Sequence, residues 1–306
     1  MPRLLRWLSE SYLFVMFAAI LVGLFVPQAK ALVWCNTYIL QIIFFLSCIK
    51  IDPKQVGGHM RDWKYLFWAN FLMLVGFPLL VWLVSGSWAG DLGFALYLLA
   101  AMPVGMTAPL LAEVVGGKQT LALVLTVTTS LLAPFSIPLL TRWLYGASVS
   151  VDALGMFKQL ALVIFLPFML AMAFRKLLPK AVVMVKPATK PISIMLLGLL
   201  IAGAVAKQSE AILAQARDWP LLLGVVVLLF AFFAALHAAG YYAFWWKKHD
   251  VKATSSVSLT YMNFTLAIFL ASQFFPRPSV LLPLVLSIIP WAILPAAWKK
   301  LATTIR

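Results

Sequence analysis

Acidic side chains are scarce in this chain. There are nine Asp and Glu in 306 residues, against 24 Lys and Arg. All charged residues together make up 11% of the sequence, where a soluble domain carries about 25%. So few charges cannot cover the surface of a water-soluble globule, and the composition is equally unlike a disordered chain, which is poor in apolar residues. Cysteine is almost missing. Cys35 and Cys48 stand thirteen positions apart in one apolar stretch, which in a helix is roughly 20 Å, beyond disulfide reach. A disulfide scaffold is therefore excluded, and buried apolar packing suits both thiols. Histidine occurs three times. No metal-ligand cluster, glycine-rich phosphate loop or catalytic-triad spacing is present, so nothing in the pattern points to an enzyme.

What is abundant is apolar surface. Hydrophobic residues make up 64%, against about 45–50% in soluble domains, and the mean hydropathy is +1.00. Both values describe an integral membrane protein. A spanning helix takes roughly 20 apolar residues, so ten would use roughly 200 and leave no room for a separate soluble domain. The apolar runs fall at about 11–27, 31–49, 65–86, 92–115, 119–143, 153–174, 189–206, 219–245, 253–275 and 279–298. They are apolar all round rather than alternating, which excludes an outer-membrane barrel. The net charge of +15 contains no basic run longer than two. It therefore reflects the cytoplasmic excess of Lys and Arg in membrane proteins, and no nucleic acid partner is expected.

With ten spans both tails share one side, and that side collects 18 basic residues against 6 on the other. The minority are Lys30, Arg142, Lys158, Lys207, Arg217 and Arg277. This bias orients both termini toward the cytoplasm, in an inner or plasma membrane. Arg3, Arg6, the first apolar run and Ala29-Lys30-Ala31 also fit a signal peptide with its cleavage site. Removing that run would spoil the symmetry that follows.

Ten spans divide into two halves of five, 1–147 and 148–306. An odd number per half makes the halves inverted repeats, a common transporter plan. Punctuation agrees. Span four holds Pro103, Gly105 and Pro109, and span nine the polar run Ser255, Ser256, Ser258, Thr260 and Asn263. Spans five (Pro134, Pro138) and ten (Pro283, Pro290, Pro295) also correspond, and both read as proline-broken. In lipid, backbone freed by a break must be buried in protein or line a wet cavity. Two opposed broken helices thus predict a site at the bilayer midplane, where half-helix ends can hold an ion.

At these residues the chain resembles the bile acid:sodium symporter family. Pro103-Val-Gly-Met-Thr-Ala-Pro109 and Leu121-Ala-Leu-Val-Leu-Thr-Val-Thr-Thr-Ser-Leu-Leu-Ala-Pro134 match, in spacing, that family's Pro-Gly-Gly-Thr-x-Ser-Asn and Ala-Leu-Ser-x-x-x-Thr-Thr-x-x-x-Leu-x-x-Pro. Phe44 to Pro53 occupies the place of the family's second-span end, and Tyr261-Met-Asn-Phe-Thr-Leu-Ala resembles its ninth-span Met-Gln-Asn-Ser-Gly-Leu-Ala. The resemblance implies an all-α membrane fold of ten helices, with a panel of spans one, two, six and seven and a core of spans three to five and eight to ten. It implies carriage of organic anions such as bile acids, steroid sulfates or pantoate, driven by two sodium ions. A related branch exports arsenite.

The departures from the family are concentrated where it binds sodium. The Ser-Asn pair of span four is Ala108 and Pro109, the serine of span five is Ala122, the glutamate of span nine is Ser258, and the following glutamine is Met262. Thr126 and Asn263 alone remain as sodium positions. Elsewhere, Glu113 and His237 are ionisable groups inside predicted spans, each a proton-carrier candidate. The alternatives are that Glu113 is solvated at the interface beside Gly116, Gly117 and Lys118, and that His237 simply packs between helices. Asn70 reads as a hydrogen-bonding partner of the crossing. Gln41 and Gln159 either face a cleft or bond between helices. Trp63, Trp88, Trp143, Trp219, Trp245, Trp246 and Trp298 read as interface anchors.

The expected function is secondary transport of a small organic anion by a monomer in the lipid bilayer. Thr107, Thr126, Ser258, Thr260 and Asn263 would line the site, and no cofactor is expected beyond a weakly bound sodium ion. A proton-linked or arsenite-type carrier and a non-transporting membrane receptor are the alternatives; a receptor would give no flux in liposomes. The charge count makes a direct prediction. Single cysteines at Ser150 and Lys186 should react with a membrane-impermeant thiol reagent from opposite faces, Ser150 from outside. Labelling of both from one side would refute the topology.

Overall fold

The computed structural model describes residues 12–51, 62–85, 90–147, 150–215 and 217–304. Arg3, Arg6, Asp52, Pro53, Lys54, Arg61, Trp88, Ser148 and Arg306, all used in the sequence reading, lie outside them. Among the described residues the chain is helical, and its only β pairing is one isolated bridge.

The helices are α1 (Tyr12–Phe25), α2 (Asn36–Cys48), α3 (Trp63–Phe71), α4 (Phe77–Ser85), α5 (Gly90–Ala101), α6 (Ala108–Val114), α7 (Gln119–Tyr145) and α8 (Ala153–Leu177). They continue as α9 (Pro179–Val185), α10 (Thr189–Ala206), α11 (Ser209–Gln215), α12 (Trp219–Tyr242), α13 (His249–Thr260), α14 (Phe264–Phe274), α15 (Pro278–Leu286) and α16 (Ile288–Thr304). A 3-10 helix, Pro27–Cys35, leads into α2, and a π-helical turn, Leu72–Gly76, joins α3 to α4. Among the described residues, seven helical stretches are long and apolar enough to cross a membrane, and Phe14–Phe25, Gly90–Ala101 and Phe264–Phe274 are shorter apolar helices. The protein is an integral membrane protein of all-α class.

Its Cα positions fall into two compact units. Unit one takes its described residues from 1–51, 154–218 and 268–281, and unit two from 52–153, 219–267 and 282–306. In unit one α10 packs against α1, the 3-10 helix and α2. Glycine permits the approach. A Cβ on Gly23 would lie 2.7 Å from the Val205 Cβ, and one on Gly203 would lie 3.0 Å from the Leu32 Cβ. Small residues at such crossings let helix backbones meet where no hydrophobic effect drives them together. Gln41 and Gln159 both bond across helices here. Gln41 Nε2 donates to Leu162 O (3.3 Å), and Gln159 Nε2 donates to Thr37 Oγ1 (2.8 Å).

In unit two α13 packs on α12, α7 and α6. All of α13 from Ala253 to Thr260 is buried although five of those eight residues carry hydroxyls. Most of the hydroxyls are answered within the helix. Thr254 donates to Asp250 O, Ser255 to Val251 O and Thr260 to Ser256 O, at 2.7–2.9 Å. In α7, Thr126, Thr129 and Thr141 do the same. This back-bonding neutralises the polar group without a partner helix.

Span five departs from the sequence expectation. Pro134 and Pro138 lie inside an unbroken α7. Each removes one backbone bond, but the flanking ladder and the buried packing of Ala133, Pro134, Ile137 and Pro138 hold the helix together.

Substitution at the glycine crossings should separate tight from open sites. Gly23→Val should lower the thermal unfolding temperature in detergent, by about 1–3 kcal/mol of overpacking. Gly224→Ala in α12, where a Cβ meets nothing within 4 Å, should be neutral or slightly stabilising.

Candidate functional site

Spans four and nine are each interrupted by non-helical backbone, and these two interruptions meet. Helical backbone stops at Ala101 and restarts at Ala108, and stops again at Thr260 and restarts at Phe264. Val104 and Met262 form an antiparallel bridge. The Gly105 N–H donates to Tyr261 O and the Asn263 N–H to Pro103 O, both at 2.8 Å.

Local chemistry explains the first break better than the second. Pro103 has no N–H and biases Met102 away from helical geometry. Pro109 sits in the first turn of α6, where no intrahelical donor is lost. Gly105 is required by the close approach, since a Cβ there would lie 2.6 Å from Tyr261 O. In the second break Tyr261 leaves the helical region (φ −95°, ψ 63°). Asn263 Oδ1 then accepts the Leu266 N–H at 3.1 Å and caps α14.

Further bonds anchor the crossing. Thr129 Oγ1 accepts the Val104 N–H (3.1 Å) while its proton goes to Leu125 O (2.6 Å). α6 ends in a Schellman-type turn, with Gly116 at φ 79° and the Gly117 N–H on Ala112 O (2.7 Å). The Lys118 N–H then donates to Thr254 Oγ1 (2.7 Å), and Lys118 Nζ meets Asp250 at 3.2 Å. In the turn between α12 and α13 the Lys247 ammonium lies 2.6 Å from Asp62 and holds that carboxyl below its ordinary range. The pair is therefore intact above the usual carboxylate pKa and is lost as pH falls through the lowered one.

His237 is buried behind the crossing. The single Ser256 proton goes to His237 O (2.8 Å), so the 2.9 Å contact to Nδ1 has the ring N–H donating to Ser256 Oγ. Nε2 is then the acceptor of the Tyr261 hydroxyl at 3.0 Å. The Trp298 ring stacks on the imidazole, centroids 4.4 Å apart. Both ring nitrogens are thus engaged with neutral groups, and the chain of donors suits a neutral imidazole.

Of the residues singled out from sequence, Thr260 ends the helix before the second break, Asn263 closes that break, and Thr107 precedes α6 and is exposed. Thr126 is fully buried in α7 and donates to Ala122 O (2.9 Å). Ser258 is buried with no partner for its hydroxyl, as is Ser130. Glu113 is exposed. Asn70 does not reach the crossing, because its Nδ2 donates to Leu66 O one turn back in its own helix (2.8 Å). Trp298 is no interface anchor, because it stacks on His237. Trp143, Trp219 and Trp245 are each more than 70% exposed. Sequence reasoning missed the roles of Thr129 and Tyr261. Both stand inside the quoted motifs, and for Tyr261 a hydroxyl beside the polar run of span nine was the available signal.

The chain matches the SBF-like CPA transporter family (DUF4137) over residues 10–293. It belongs to this family. The assignment agrees with the resemblance read from spans four, five and nine, and the family is one of transporters rather than enzymes. Among relatives, the chain is 29% identical over 190 residues to "Probable sodium/metabolite cotransporter BASS5, chloroplastic" of Oryza sativa subsp. indica, covering 59% of this chain and 46% of that protein. It is 28% identical over 279 residues to "Uncharacterized protein YbaS" of Bacillus subtilis (strain 168), covering 86% and 87%. It is 25% identical over 246 residues to "Sodium/bile acid cotransporter 7" of Danio rerio, covering 76% and 72%. The chain thus spans about half the length of the rice relative.

The crossing depends on a glycine at position 105. Gly105→Ala should push Tyr261 O away and break the bridge, costing about 1–3 kcal/mol. Thermal unfolding of the purified variant measures it, and an unchanged melting temperature would show that the two breaks do not need this contact.

Proposed function

We propose that this protein is a secondary transporter of a small organic anion, working by alternating access in an inner or plasma membrane. In this reading the crossing of the two broken helices is the substrate site. The observation that carries it is the bridge between Val104 and Met262. It places two chain breaks together, and irregular backbone at membrane depth serves to coordinate a solute. The relatives named as sodium/metabolite and sodium/bile acid cotransporters support the transport class. Unit one would act as the panel and unit two as the core.

Sodium coupling is proposed to be weak or lost. The Asn263 side-chain oxygen is engaged in capping α14, and the position of the family's glutamate is the neutral Ser258. A close carboxylate contributes about 4 kcal/mol of attraction to a cation at 4 Å and an effective dielectric of about 20, roughly three orders of magnitude in affinity. Neutral dipoles replace little of that. Proton linkage through His237 has less support than linkage through Glu113, because both imidazole nitrogens are already engaged.

Uptake into proteoliposomes tests the reading. A panel of radiolabelled carboxylates and organic sulfates should include a substrate that accumulates equally in sodium and in choline buffer. Uptake that vanishes without sodium and saturates at millimolar sodium would overturn the coupling claim. Absence of flux for every anion would favour a receptor. Ser258→Glu should raise sodium affinity if span nine is aligned correctly with the family.

A further inference from the structure

A groove on unit two holds polar atoms that the crossing does not use. It runs between α7 and the stretch formed by α3 and its π-helical turn, and its volume is about 490 Å³. That lies within the range of small-molecule sites, about 300–1,000 Å³. Helical period builds the walls. Leu66, Asn70 and Leu74 stand one turn apart on one side, and Thr128, Leu132 and Ser136 one turn apart on the other. Phe67, Phe71, Phe135 and Leu139 of the same walls are exposed, so the groove opens toward lipid.

Among the described residues this lining carries no charge, and its polar amide and hydroxyls belong to Asn70, Thr128 and Ser136. Thr128 gives its proton to Leu125 O at 3.4 Å. Asn70 is only 8% exposed; its Nδ2 donates to Leu66 O at 2.8 Å, and its Oδ1 is buried with no partner. The Leu66 bond fixes which way the amide points, since the flipped amide would set two oxygens against each other. Ser136 Oγ is also buried with no partner. The groove therefore lacks a donor for Asn70 and an acceptor for the Ser136 proton. Polar groups buried in hydrocarbon are ordinarily paired. Depth narrows the choice of partner. Asn70 follows Trp63, the first residue of α3, by seven positions, roughly 10 Å along the axis. Asp62 caps α3 and pairs with Lys247, which marks its wet end. A charged headgroup drawn down to Asn70 would have to leave water, whereas a neutral hydroxyl escapes that cost.

We infer that this groove binds an uncharged acyl lipid with one free hydroxyl, the chemistry of a diacylglycerol. The lipid hydroxyl donates to Asn70 Oδ1, an ester carbonyl accepts the Ser136 proton, and an acyl chain lies along Leu66, Leu74 and Leu132. A phospholipid has the esters, but a charged phosphodiester stands where the hydroxyl is needed. A triacylglycerol has no donor, and a hydrocarbon answers neither side chain. The site shares no residue with the crossing and owes nothing to the transport reading.

The test uses the full chain in detergent micelles and native mass spectrometry, which counts the lipids retained on each protein. Dioleoylglycerol is titrated beside its O-methyl ether, which keeps the esters and chains and lacks the donor. The unmodified chain should bind dioleoylglycerol with a dissociation constant about tenfold below that of the ether, the scale of one hydrogen bond to a buried acceptor. Asn70→Leu, close in size, should abolish the preference, so that alcohol and ether bind equally. Ser136→Ala should weaken both lipids alike and keep the preference, because both carry the esters. Thermal unfolding of each variant checks folding. If Asn70→Leu does not fold, the comparison on the unmodified chain and Ser136→Ala still decide. Equal retention of alcohol and ether by the unmodified chain, the behaviour of ordinary surrounding lipid, would overturn the proposal. So would a preference that survives Asn70→Leu, or unchanged binding in Ser136→Ala. Because no flux is measured, failure here leaves the transport proposal standing, and failure of transport leaves this one standing.

Discussion

A backbone that leaves its helix inside a bilayer finds no water to bond, and each unsatisfied N–H or C=O there costs several kcal/mol. The answer in this protein is reciprocal. The break after Ala101 offers Pro103 O and the Gly105 N–H, and the break after Thr260 offers Tyr261 O and the Asn263 N–H. Each break supplies what the other needs, so neither is tolerable alone. The rest of unit two is arranged around that exchange. Thr129 takes the Val104 N–H from one side, and His237 holds the Tyr261 hydroxyl from another. The missing Cβ of Gly105 lets the two strands approach to hydrogen-bonding distance.

Much of this was legible in the sequence, and the reasons differ from place to place. The all-α membrane class followed from composition, because a bilayer demands long apolar runs that nothing else explains. The first break was legible because Pro103 removes a donor and turns Met102 out of the helix, Gly105 weakens helix, and Pro109 suits the first turn of a new one. The second was weaker, since Tyr261-Met262-Asn263 has no proline or glycine. Its cause is tertiary: the partner strand must be answered, and the asparagine cap only finishes the turn. Prolines misled in span five, where α7 runs through Pro134 and Pro138. A proline deletes one bond, but whether the helix parts depends on packing that no local pattern records.

Individual side chains were harder still. Asn70 and Trp298 carry the chemistry assigned to them, a polar amide and an amphipathic ring, but their partners are set by rotation about the helix axis. Asn70 turns back on Leu66 O, and Trp298 turns inward onto His237. Family resemblance shares this limit. It locates Ser258 at a glutamate position, yet the isolation of its buried hydroxyl belongs to the surrounding helices.

The self-answering hydroxyls of α13 have a mechanical meaning. A buried polar helix usually grips its neighbours through side-chain hydrogen bonds, and sliding it would strip them one after another. Here Thr254, Ser255 and Thr260 send their protons up their own helix axis, and those bonds travel with the helix when it moves. The grip that would have to be released includes a few identifiable latches: Tyr65 on Ser255, His237 on Ser256, the Lys118 N–H on Thr254, the Lys118 ammonium on Asp250 and Tyr241 on His249. Such a helix behaves as a lubricated rod held by pins, and the work of displacing it scales with the pins rather than with its length.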